Sequence, residues 1–87
     1  MVAVEVLRTT DSWIEKTPGK CGGRACIRDT RIPVWSVVVA QLSGVSDQQL
    51  LTHFVTPPTY ADVQTARAYR SQHGEEIDAD IRDNENA

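Results

Sequence analysis

Hydrophobic and polar positions change period once along this chain, near Pro33. Before it, Val2, Val4 and Val6 alternate with Ala3 and Glu5, a period-two pattern that suits a short strand or extended arm. Trp13-Ile14-Glu15-Lys16-Thr17 reads as a second strand, ended by the turn signal Pro18-Gly19. Gly22-Gly23 follows, so residues 18–23 form a loop open to positive φ and to close backbone approach. Ala25-Cys26-Ile27 and Thr30-Arg31-Ile32 read as two further short strands around a tight Arg28-Asp29 turn. The turn resets the alternation, so the pattern does not assign their faces.

After Pro33 the period is helical. Proline fits the first position of a helix, where a missing N–H is no loss. Val34 to Leu42 is apolar nearly all round, which marks a central buried helix, with a strand as the competing reading because of the valines. Gly44 stands where a helix C′ residue belongs. Ser46 with Gln49 makes a capping box and Val45 with Leu50 a hydrophobic staple; Leu50, Leu51 and Phe54 form the inward face. That helix stops by Val55 or Thr56, before Pro57-Pro58. Thr59 with Asp62 makes a second capping box, opening a third helix from Tyr60 to about His73. Its buried stripe reads as Tyr60, Val63, Ala66 and Tyr69/Arg70, with Gln64, Arg67 and Ser71 turned towards solvent or a partner.

The pattern thus predicts a mainly α protein, a tri-helical helix-turn-helix core over 33–74 with a short N-terminal arm and β-hairpin over 1–32. Gly74 closes the third helix, and 75–87 is an acidic tail expected to be disordered. In such an outline the last helix usually enters the major groove, where Gln64, Arg67, Arg70 and Ser71 become candidate DNA contacts.

Charge sharpens this picture. The formal net charge of −3 averages a body of net +2 over residues 1–70 and a tail of net −5 over 71–87. Between residues 16 and 31, Lys16, Lys20, Arg24, Arg28 and Arg31 face one acid, Asp29. Lys20, Arg24 and Arg28 are therefore further candidate phosphate contacts; the plain alternative is a solvated hairpin face with local ion pairs. Arg31 leads directly into the central helix and reads as a bracing or interface residue. The acidic tail offers itself to a basic partner surface, or to the chain's own basic hairpin as a self-inhibiting cover.

At 87 residues with only five aromatics, the core is short of large side chains. A homodimer would relieve that shortage, and Trp13, Ile14, Arg31 and Trp35 are the candidate interface residues. Two cysteines spaced C-x4-C are too few for a structural zinc site, and His53 and His73 stand in no ligand-spaced pair. Cys26 reads as core packing and Cys21 as a turn residue, both as reduced thiols of a cytoplasmic protein. No membrane segment, cofactor, metal or small-molecule substrate is expected. An enzyme is not expected either, because Gly22-Gly23 precedes a strand rather than a helix N-terminus and lacks phosphate-loop geometry.

The run Pro18-Gly19-x-Cys21-Gly22-Gly23-Arg24-x-Cys26-Ile27-Arg28-x-Thr30-Arg31-Ile32-Pro33-Val34-Trp35, followed by Leu42-x-Gly44-x-Ser46 and Val63-x-x-Ala66, resembles the bacterial domain-of-unknown-function family 433. The resemblance spans about residues 13 to 70. It implies a VapB-antitoxin-like, homeodomain-like helix-turn-helix protein, dimeric and intracellular. The implied function is a DNA-binding autoregulator of a toxin–antitoxin pair, acting on its own operator beside a PIN-like nuclease toxin. The alternative is a protein–protein module that neutralises such a nuclease without specific DNA binding. The chain departs from the pattern at Asp29, where glycine is common, and at Ala25, where proline is common; the first is expected to strain the turn.

Overall fold

The computed structural model describes residues 3–85. Three strands come first: β1 (Val4–Arg8), β2 (Trp13–Lys16) and the two-residue β3 (Cys26–Ile27). They form one antiparallel sheet in the order β1-β2-β3, with Leu7 opposite Ile14 and Ile14 opposite Ile27. The register shifts between Glu5 and Leu7, so Val6 is a bulge that lets β1 curl over β2.

The expected hairpin around Arg28-Asp29 is shorter than its sequence suggests. Residues 30–34 return beside β3 without forming a strand: the Ile27 N–H donates to the Ile32 carbonyl, the Val34 N–H donates to the Ala25 carbonyl, and Cys26 bridges Pro33. Thr30 closes the turn by donating both its backbone N–H and its hydroxyl to the Ile27 carbonyl. The left-handed residue here is Arg28, with φ +47°, and not Asp29. β3 instead takes its ladder from β2, and the Arg28 N–H donates to the Trp13 carbonyl.

The helices follow: α1 (Val34–Leu42), α2 (Asp47–His53), α3 (Tyr60–Gln72) and α4 (Gly74–Glu85). Helix α1 is the central one, with Val34, Val37, Val38 and Ala40 buried. Its end is a Schellman turn: the Val45 N–H reaches the Ala40 carbonyl, the Gly44 N–H reaches that of Gln41, and Gly44 takes φ +96°. Both capping boxes form as read, Ser46 with Gln49 on α2 and Thr59 with Asp62 on α3.

Three expectations are overturned. Among the described residues the architecture is not a three-helix bundle with a hairpin arm but four helices packed with a three-stranded sheet. Ile14 of β2 and Ile27 of β3 lie in the same buried cluster as α1 and α3, so the sheet is a wall of the core. The described part of the acidic tail is helical: Gly74 opens α4 instead of closing α3, the break falling at His73 (φ −131°, ψ 44°). The reason is Ile77, 0% exposed, together with Ile81 one turn on; they give an otherwise acidic segment an apolar stripe that packs on α1 and α3. Tyr60, expected in the stripe of α3, is 59% exposed, and Asp62 and Thr65 are buried instead.

No helix among the described residues is long and apolar enough to cross a membrane. If α4 belongs to the core, Ile77→Ala should lower unfolding free energy by about 2–4 kcal/mol, the range for emptying a buried aliphatic site. Urea denaturation checks this; an unchanged midpoint would return residues 75–85 to the status of a loose tail.

Candidate functional site

The side chains proposed from sequence as phosphate contacts fall into three groups. Arg28 is fixed deepest. Its Nε donates to Asp62 Oδ1 at 2.8 Å and its Nη2 to Asp62 Oδ2 at 2.7 Å, a side-on bidentate pair. Ser12 from the β1–β2 turn donates to Oδ1, and the Thr59 N–H donates to Oδ2 at 2.8 Å. Asp62 is 0% exposed, and all four of its lone-pair directions are filled. Arg28 is thus a counter-ion inside the fold and leaves the set of free phosphate contacts.

Along β2 and the following turn, Lys16 Nζ lies 3.1 Å from Glu76 Oε2, and Arg24 reaches Asp80 and Asp83 at 3.3 Å each. Lys20, in the same turn, makes no ion pair among the described residues. On α3, Arg67 is paired with Asp47 in the first turn of α2, and Arg70 lies 3.9 Å from Asp78 of α4. Gln64 is half-buried and Ser71 exposed. The arginines of α3 therefore face carboxylates of their own chain.

The aromatic and apolar candidates also divide. Ile14 is fully buried, so it packs the core and is unavailable to a partner. Trp13 is half-buried, its ring N–H donating to Glu15 Oε1 at 2.9 Å with the Arg8 guanidinium 4.7 Å above the ring. Trp35 packs partly against the core on α1, and Val39 and Leu42 follow it at helical spacing, Leu42 with 68% of its surface exposed. Arg31 is exposed and makes no ion pair among the described residues. It borders an open cleft of about 380 Å³ completed by Ile32, Phe54, Val55 and Thr56, in which Val55 is 104% exposed. Phe54, inward by the sequence pattern, does pack partly against the core; the cleft is made by the α2–α3 connection, and no local pattern links residue 31 to residue 55.

Cys21 and Cys26 are joined in a disulfide, which corrects their reading as two reduced thiols. The cause is local: a short 3-10 turn over Cys21–Gly23, with Gly22 and Gly23 both at positive φ, folds Cys21 back to the buried Cys26 of β3. Among the described residues no group of three or more His, Cys, Asp or Glu stands together as a metal site would require.

Burial pushes the carboxyl of Asp62 up, but the hydrogen bonds from Arg28, Ser12 and Thr59 outweigh it and hold it at about 2. A group depressed in the folded state stabilises the fold above its ordinary value near 3.8 and loses that contribution as pH falls towards 2. This carboxylate should account for about 2 kcal/mol of the stability lost between pH 5 and pH 2. Asp62→Asn should lose about 3–5 kcal/mol at pH 7, because the Arg28 charge is left without its partner, and should show a flatter acid limb. Urea titrations at stepped pH measure both.

Residues 14–69 match the family model described as "Protein of unknown function (DUF433)". The crystal structure of a DUF433 member protein from Anabaena variabilis ATCC 29413 superposes with a TM-score of 0.74 at 43% identity, over 79% of this chain and 67% of that one. No protein of curated function matches the chain. With the match taking in β2, β3 and the first three helices at that level of identity, the chain belongs to the DUF433 family.

Proposed function

We propose that this chain is a non-catalytic protein–protein interaction module, antitoxin-like, that works as a dimer and neutralises a nuclease of the PIN type. What carries the reading is the location of the side chains without partners. The arginines of α3 and of the β3 turn are taken up by Asp47, Asp78 and Asp62. The large apolar side chains left in water include Val39 and Leu42 on α1, and Val55 beside Arg31, which makes no ion pair among the described residues. Desolvating such side chains, with an arginine at the rim, is how interface centres are commonly built.

The reading of the protein as a DNA-binding autoregulator rests on the family resemblance and on the helices α2 and α3. Against direct reading by α3 stands the pairing of Arg67 and Arg70, each of which would have to leave a carboxylate to reach a phosphate.

The two readings separate on co-purification with the PIN-type nuclease encoded beside this chain, followed by light scattering and an RNA-cleavage assay. Leu42→Glu and Val55→Glu should each weaken the complex at least tenfold, about 1.4 kcal/mol or more, and restore cleavage, while Arg67→Ala leaves both unchanged. Full inhibition by both glutamate variants, or loss of it on Arg67→Ala alone, would overturn the proposal, as would a gene neighbourhood with no such nuclease.

A further inference from the structure

Helix α4 lays a line of carboxylates along the chain's own cations. Glu76, Asp80 and Asp83 recur at i, i+4 and i+7, so they share one face over roughly 10 Å of helix axis. Glu76 meets Lys16 at 3.1 Å, and Asp80 and Asp83 both meet Arg24 at 3.3 Å. Lys20 stands between these two cations in the chain, half-buried and without an ion pair among the described residues. Helix α4 follows α3 across the break at His73 and is also held to it by Tyr69 on Glu76 and Arg70 near Asp78; its buried anchor is Ile77 with Ile81 beside it.

We propose that Lys16, Lys20 and Arg24 form a binding site for the phosphodiester backbone of a nucleic acid, and that α4 is the built-in competitor that closes it. The chemistry favours this ligand over an acidic protein. Evenly pitched negative charge along a rod is what a phosphate backbone presents, and the three carboxylates of α4 imitate it. Arg24 uses two of its guanidinium nitrogens on two carboxylates, the forked geometry that also suits phosphate oxygens. Lys16 and Arg24 keep about a third of their side-chain surface in water, where ion pairs hold weakly, so a polyanion that releases its counter-ions competes with these carboxylates, Asp80 being the most buried of them at 13%. The site is built from β2 and the turn after it and uses none of the residues on which the proposed function rests, so each idea can fail without the other.

The test uses the full chain with Glu76→Gln, Asp80→Asn and Asp83→Asn combined, amides that keep the shape of each side chain. A control carries Asp11→Asn, Glu75→Gln and Glu85→Gln, the same change in net charge at carboxylates that hold no ion pair among the described residues. The probe is a fluorescent 20-base-pair duplex of arbitrary sequence, followed by anisotropy across a salt series. The cover variant should bind at least ~10-fold more tightly than the unaltered chain, with a log–log salt slope near −3 for about three phosphates neutralised. Adding Lys16→Gln and Arg24→Gln should abolish the gain. Equal gains in cover variant and control would reduce the effect to net charge and overturn the proposal. So would no gain in a cover variant whose circular dichroism and melting match the unaltered chain, or equal binding of a poly-glutamate of matched charge.

Discussion

The carboxylate of Asp62 is the point on which the rest of the structure hangs. It belongs to α3, where it completes the capping box with Thr59, yet its oxygens also take Ser12 from the β1–β2 turn and Arg28 from the β3 turn. Three segments distant in sequence therefore meet on one side chain, and the sheet is oriented on the helices by hydrogen bonds as well as by Ile14 and Ile27. An unpaired carboxylate so deeply buried would take up a proton or destabilise the fold; four satisfied lone pairs and a bidentate guanidinium make its ionised form the favoured one. The same bond explains the backbone of Arg28. A left-handed conformation is unfavourable for arginine by roughly 1–2 kcal/mol, and the turn keeps it because that geometry points the guanidinium at Asp62.

Charge is organised by the same logic at lower stakes. The basic body and acidic tail are not two surfaces waiting for different partners; much of one is folded onto the other. Lys16, Arg24 and Arg70 each meet a carboxylate of α4, at exposed or half-exposed sites where a single pair contributes little. Docking of α4 thus depends on Ile77 and its apolar neighbours, with the ion pairs selecting its orientation. Tyr69 joins the two contributions: its ring is buried, its hydroxyl donates to Glu76 at 2.8 Å, and burial with that bond pushes the phenol well above its ordinary range.

Beside its charges, the surface also exposes several large apolar side chains. Helix α1 carries no charged side chain at all, and its Val39 and Leu42 are exposed.

Local chemistry was legible in the sequence wherever a few adjacent residues decide the outcome. Ser46 with Gln49, Thr59 with Asp62 and Gly44 after α1 each act through bonds spanning three to five residues and form as read, while Pro33, read as the first helical residue, stands one place earlier as the extended N-cap of α1. The edge strands and the buried valines of α1 were legible for the same reason. What the sequence could not decide is which distant charges meet. Arg28 resembles any hairpin arginine until Asp62 is brought beside it, 34 residues on. Residues 75–85 have the composition of a disordered tail until α1 and α3 supply a groove for Ile77 and until Lys16 and Arg24 neutralise its acids. Propensity and capping are properties of short segments, so the sequence determined the elements. Burial and ion pairing are properties of the assembled chain, so only the tertiary structure decided that the sheet is part of the core and that the acidic end is its fourth helix.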